Sequence, residues 1–285
     1  MRVPFPYRAF SPPRNPRPVV NWGHPLSIGL VGYWPFTDGG GTLVREACGL
    51  VGGAGPSSPP YGQDGDAVFN TGGAMPAWVA GKHPGTGSIL FTPASGGQNV
   101  QTNQGTALSA LFGPGNLTLV ALCRSLIADG NFREVVRSTL QSFFILQNSS
   151  NTWAWAPHGT EYSDTTTPMT VGEWALLAGT WSNVTTSGKL YKNGIPYQSI
   201  STGGAIATGT NGFYFGNFGS GSQLFNGNIA MIAMYNRVLS QSEIQWLTAE
   251  PYAVIQLKPV LRRWVGKQVP LTPGTRGFLP MNIVS

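Results

Sequence analysis

Eleven carboxylates, three histidines and two cysteines are the side chains of this 285-residue chain whose types could carry acid–base, nucleophilic or metal chemistry. A glycoside hydrolase needs two carboxyl groups facing each other across the scissile bond. Here the acids are scattered, and the closest pair is Asp64-x-Asp66, in the glycine-rich stretch "YGQDGDAV". Two readings fit that pair. In the first, the Asp side chains hydrogen-bond their own backbone in a turn. In the second they begin a calcium site, although calcium takes about 6–8 oxygen ligands and few other acids lie near them in the sequence. No other metal or cofactor is expected. His24, His83 and His158 are isolated from one another, and no serine sits in a Gly-x-Ser-x-Gly elbow, so a hydrolase triad has no support. "TDGGGT" and "GSGS" lead into no helix and therefore read as turns, not phosphate cradles. Cys48 and Cys123 lie far apart, outside any Cys-x-x-Cys spacing, which predicts two free, buried thiols. The chemistry expected of the chain is binding, not catalysis.

Aromatic side chains offer one binding chemistry, stacking on sugar rings. Trp153, Trp155 and Tyr162, in "TWAWAPHGTEY", form the first candidate platform, and Trp181, Tyr191, Tyr197 and Tyr214 could extend it. The alternative is that these rings fill a core. Strand register decides which face a residue takes, so both readings stand at this level.

Charge supplies the second binding chemistry. Charged residues are 10% of the chain, against about 25% in an average globular domain. The net charge of +6 is unevenly placed. Residues 1–28 hold four arginines and residues 251–285 hold five basic side chains, with no acid in either, whereas residues 29–250 carry eight basic and eleven acidic groups. A nucleic-acid-binding domain would carry its basic stripe on the folded face, so direct nucleic-acid binding is not expected. The prolines and arginines of "SPPRNPRPVVNWGHP" read as an extended segment, since proline fixes φ and lacks a donor. Residues 1–28 and 251–285 are therefore expected to be two basic docking arms. Arg8, Arg14, Arg17, Lys258, Arg262 and Arg263 are the expected contacts to a neighbour. No apolar run reaches the roughly 18 residues of a membrane span, and "MRVPFPYRAF" lacks the apolar stretch of a secretory signal. The expectation is a protein made in a cytoplasm, without a membrane partner.

The elements that must position these groups are strands. With 39 glycines and 23 prolines, the chain reads as short strands joined by many turns. "GLVGYWPF", "SILF", "QNVQT", "EWALLAGTWS", "GFYFGNF" and "GNIAMIAMYNRVL" are strand candidates, and "REVVRST" with "SFFILQNS" a hairpin. "LTLVALCRS" is nearly all apolar, which predicts a strand buried on both faces. In "GKLYKNGIPYQS" the Asn193-Gly194 pair predicts a hairpin with a type I′ turn. "LSQSEIQWL" predicts one short helix, with Ser240 and Glu243 as a capping box and Leu239 and Ile244 as a staple. From Arg45 to about Gly87 the text predicts a long irregular surface loop. Some ten or more short strands predict an all-β, two-sheet sandwich, with a barrel as the alternative.

Three blocks, in order, carry a family resemblance. "GLVGYWPFTDGGGT", "GEWALLAGTWSNVTTSGKLYKNGIPY" and "FNGNIAMIAMYNRVLSQSEIQWL" resemble the opening strand, the central tryptophan strand with its hairpin, and the closing strand and helix of laminin-G-like, concanavalin-A-like domains. The resemblance implies an antiparallel jelly-roll sandwich over residues 29–250, with one concave sheet and, in many relatives, a sugar- or protein-binding face. Glycosidases on this sandwich place their acids as Glu-x-Asp-x-Glu or Glu-x-x-Glu on one strand, and neither spacing occurs. The ending "EPYAVIQLKPVLRRWV" and the missing signal are similar to bacteriophage structural proteins. That implies a virion component, first a capsid decoration protein docked by its arms on major capsid or other virion proteins in a homo-oligomer or symmetric array. The alternative is a lectin-like host-recognition module on a tail or head fibre, with a glycan as its partner.

Overall fold

A computed structural model describes residues 18–48, 65–69, 75–92, 100–102, 115–138, 143–157, 161–163, 168–200, 213–217 and 223–255. Two antiparallel sheets face each other. In the first, β14 (Ile195–Ile200), β13 (Ser187–Lys192), β12 (Ala175–Ser182), β7 (Asn116–Ser125) and β16 (Gly227–Tyr235) lie side by side. The far edge of β16 is shared. Its first half pairs with β5 (Gly87–Phe91), which carries β4 (Ala77–Ala80), and its second half pairs with β1 (Leu30–Trp34). The second sheet runs β11 (Tyr162–Ser163), β10 (Trp153–Ala156), β9 (Phe144–Gln147), β8 (Arg133–Ser138), β15 (Phe213–Phe215), β6 (Val100–Thr102), β3 (Ala67–Phe69), β2 (Leu43–Val44). The sandwich prediction holds.

The main core lies between the sheets and takes inward residues from both, among them Leu119, Ala121 and Cys123 of β7 and Ile145, Trp153, Trp155, Phe213 and Phe215 opposite. A second apolar cluster covers the outer face of the first sheet. There Val120 and Leu122 of β7 meet Ile244 and Leu247 of helix α1 (Gln241–Ala249), together with Leu26 and Val254. β7 is thus buried on both faces, as its unbroken apolar run requires. The capping box forms, with Ser240 Oγ accepting from Glu243 N–H, and Leu239 and Ile244 are both buried. Asn193 and Gly194 take positive φ values of 52° and 78° between paired Lys192 and Ile195, the geometry of a two-residue I′ turn.

Three expectations change. The stretch from Arg45 to Gly87 is not one irregular loop: "AVF" and "AWVA" form β3 and β4, and Phe69 is part of the core. Residues 18–28 and 251–255 are not extended arm. Val20 bridges to Ile255, Pro25–Ser27 make a 3₁₀ turn whose N-cap is His24, and Val20, Leu26 and Val254 are buried. The free thiols are as expected, but only Cys123 is fully buried, while Cys48 is half-buried. Arg8, Arg14, Arg17, Lys258, Arg262 and Arg263 lie outside the described residues.

Candidate functional site

The outer face of the second sheet is the side of the sandwich left open by the helix. Cross-strand register builds one row along it: Leu43, Val68, Gln101, Tyr214, Arg137, Phe144 and Ala156 stand opposite one another on seven successive strands. A second row places Glu134 opposite Leu146, and Leu146 opposite Ala154. In a regular strand, residues three apart point to opposite faces. Glu134 and Arg137 share a face because the β8–β9 register shifts between Glu134 and Val136. That bulge lets Val135 and Val136 both enter the core and turns both charged groups outward.

Around them lies a surface pocket of about 220 Å³, walled by Phe132, Phe144 and Leu146 and carrying Glu134, Arg137, Glu161 and Gln223. Glu134 is 2% exposed and Arg137 is 7% exposed. Arg137 Nη1 donates to Glu134 Oε1, and also to Gln223 Oε1 at 3.3 Å. Its guanidinium carbon stands 5.0 Å from the centre of the Phe144 ring, a cation–π distance. The second carboxylate oxygen, Glu134 Oε2, is buried with no hydrogen-bond partner among the described residues. Desolvation outweighs the attraction of Arg137 and pushes the Glu134 carboxyl up to about 7. The site therefore combines two aromatic rings, a guanidinium already engaged, and a buried acceptor with spare capacity.

Glu134, Arg137, Phe132 and Phe144 do not stand out in the sequence, because the bulge that gathers them leaves no local signal. Trp153 and Trp155 do stand out, but they point the other way. Both are at most 1% exposed and belong to the inter-sheet core, so they cannot form a platform. Their bulk fills the space between the sheets, and Ala154 and Ala156 take the outer face between them. Tyr162 pairs by backbone with Trp155 at the sheet edge. Trp181 and Tyr191 are buried in the two cores and Tyr197 packs against the first. Of the candidate aromatics, Tyr214 stands in the outer-face row beside Arg137.

Asp66 and His24 make contacts within the fold. Asp66 is 2% exposed and its Oδ1 accepts from Glu46 N–H at 2.8 Å, which ties two chain segments together. Asp64 and His158 lie outside the described residues. Among the described residues, no group of three or more His, Cys, Asp or Glu side chains could hold a metal ion. His24 Nδ1 accepts from Leu26 N–H, and its ring meets Trp246 at a tilt of 59°, with ring centres 4.8 Å apart.

Comparison with known proteins places this architecture. No curated protein sequence matches the chain. Among solved structures, Trypanosoma rangeli sialidase matches with TM-score 0.54 and 17% identity, over 79% of this chain and 33% of that one. The chain thus spans about a third of the length of the sialidase. Domain 4 of AbnA, a GH43 extracellular arabinanase from Geobacillus stearothermophilus solved with arabinotriose, matches with TM-score 0.55 and 16% identity, over 77% of this chain and 98% of that one. A botulinum neurotoxin type C structure matches with TM-score 0.53 and 12% identity, over 78% and 51% of the two chains. At these identities the likeness is one of fold. The family model of the concanavalin A-like lectin/glucanases superfamily matches residues 71–245, more than half of the sequence, and the chain belongs to that superfamily.

Proposed function

We propose that this chain is a non-catalytic, lectin-type module that binds carbohydrate on the outer face of its second sheet. The observation that carries the reading is the pocket itself. Phe132, exposed at the pocket, offers its ring to the apolar side of a sugar, Phe144 lies beneath the Arg137 guanidinium as part of the wall, and Glu134 Oε2 is an acceptor without a partner among the described residues. A mostly apolar cleft with a few converging polar groups is the usual form of a small-ligand site. The fold agrees, since the AbnA domain was solved with arabinotriose and the neurotoxin's cell entry depends on two ganglioside molecules. A glycan array probed with the full chain, followed by calorimetry on the best binders, tests the reading. Saturable binding that weakens at least tenfold in Phe132→Ala is expected. Binding that ignores Phe132 and Phe144 would place the ligand elsewhere.

A second reading concerns where such a module is held. The nine basic side chains of residues 1–28 and 251–285, with no acid among them, favour attachment to an acidic neighbour, as in a phage particle carrying the chain as a capsid decoration protein or on a tail or head fibre. Trp22 and Trp246 are exposed near the Val20–Ile255 bridge, from which both flanking sequences continue. That side of the first sheet is opposite the pocket, so attachment there would leave the pocket open. Because residues 18–28 are built into the fold, the informative truncation removes residues 1–17 alone. Loss of incorporation into particles is expected, and full incorporation of the truncated chain would sink this reading.

A further inference from the structure

The charge balance of the outer-face pocket limits which sugars it can hold, an inference that rests on the carbohydrate reading above. We propose that the pocket takes neutral sugars and rejects those carrying a carboxylate, such as sialic acids and uronates. Recognition of a carboxylate calls for a guanidinium free to donate in bidentate fashion. Arg137 is the cation among the described lining residues; its Nη1 is held by Glu134 Oε1 and by Gln223 Oε1 at 3.3 Å, its guanidinium stands 5.0 Å from the Phe144 ring, and its charge is balanced by Glu134. Glu161 adds a carboxylate to the lining, and among the described residues no cation pairs with it. The described lining residues hold one arginine against two carboxyl side chains, Glu134 and Glu161. An acidic sugar would meet two carboxylates and one arginine whose charge Glu134 already balances, a like-charge arrangement that selects against it.

A neutral sugar meets complementary groups. Its apolar face covers the exposed Phe132, and one hydroxyl donates to Glu134 Oε2, the buried oxygen without a partner among the described residues. That hydrogen bond is charge-assisted and forms away from water, where an unpaired acceptor is costly. It also explains why a carboxylate, which has no proton to donate at neutral pH, gains nothing from the same oxygen.

The test is calorimetric titration of the full chain at pH 8, with Glu134 mostly ionised. The probes are arabinotriose and maltotriose as neutral sugars, and sialyllactose and digalacturonate as acidic ones. Expected are saturable binding of at least one neutral probe and binding of both acidic probes at least tenfold weaker. Glu161→Gln, at a pocket position not paired to any described cation, should narrow that gap by severalfold. Glu134→Gln should weaken the neutral probe by about tenfold. Acidic sugars binding as tightly as neutral ones would overturn this inference and leave the carbohydrate reading intact. Binding of none of the four probes, nor of any neutral glycan on the array, would overturn both.

Discussion

The Trp155 indole of β10 crosses the core and occupies the space that a side chain at Gly179 of β12 would need. Its Nε1–H donates to the carbonyl of the next residue, Thr180, at 3.1 Å. One ring thus spans the gap between the two sheets where β10 faces β12 and satisfies its own polar atom while fully buried. Trp34 is likewise fully buried with its polar atom satisfied, Nε1 donating to Gly65 O at 2.8 Å. Gly179→Ala should therefore be severely destabilising, because the added methyl overlaps a ring that has no room to retreat. Overpacking of this kind costs about 1–3 kcal/mol, occasionally more. Urea denaturation checks it, and a midpoint unchanged from the parent would show that Trp155 can move.

Asn193 does two jobs at the hairpin tip. It adopts the left-handed φ of 52° that the turn requires. It also forms a reciprocal pair with Leu176, donating from N–H to Leu176 O at 2.8 Å and accepting from Leu176 N–H at Oδ1, 2.9 Å. Asn193→Gly keeps the backbone geometry and loses only the side-chain acceptor, so a cost of about 1 kcal/mol is expected. Asn193→Ala loses both and should cost about 2 kcal/mol, since alanine resists positive φ. Thermal melts of the two variants compare them directly, and equal losses would remove φ from the account.

What was legible in the sequence was local. The Asn-Gly turn, the Ser240–Glu243 box and the two-faced burial of β7 each depend on residues within one short window. β3 and β4 leave little trace in the sequence because strands of three and four residues carry too little periodicity, and β3 pairs with β6 across the intervening β4 and β5. The alternation of "WAWA" does state that the two tryptophans share a face. It cannot state which face, because that follows from what lies across the sheet: β12, with a glycine opposite Trp155. The pocket was the least legible part. Its charged pair exists on one face only through the bulge at Val135, and a bulge is a property of two strands paired, not of either sequence.

Glu134 gives the protein an unusual pH profile. Burial raises its carboxyl to about 7 against a reference of 4.5, with Arg137 pulling the other way. Below pH 4.5 both folded and unfolded forms hold the proton and the contribution to stability is complete. As pH rises toward 7 the unfolded chain releases the proton first, and stability is lost, by up to about 1.4 kcal/mol for each pH unit of that window. Above 7 the loss is complete. The groups that face Glu134 are Arg137 on its own strand, Glu161, Gln223 and the apolar Phe144 and Leu146. Asp129 and Glu243 act in the opposite sense. Hydrogen bonds from Arg133 and Arg237 hold both carboxyls below the usual range, so their contributions fade only at lower pH. Glu134→Gln should flatten the stability curve between pH 4.5 and 7. Parallel curves for parent and variant would show that the carboxyl does not titrate there.

The two thiols should resist chemistry in the folded state. Thiolate is the reactive form of cysteine, and burial pushes both thiols far up, Cys123 by desolvation alone and Cys48 by desolvation with the Glu46 carboxylate beside it. Cys123 points into the core between the sheets, and Cys48 sits half-buried where its own N–H donates to Glu46 Oε1 at 2.7 Å. Labelling with a chromogenic disulfide reagent at pH 8 should therefore be slow for the native chain and release two equivalents only on unfolding. The rate should track the unfolding equilibrium, rising with urea in parallel with the loss of fluorescence from the buried tryptophans. Rapid release of one equivalent from the native protein would mean that the carboxylate of Glu46 does not suppress ionisation of Cys48, and Glu46→Gln would then leave the labelling rate unchanged.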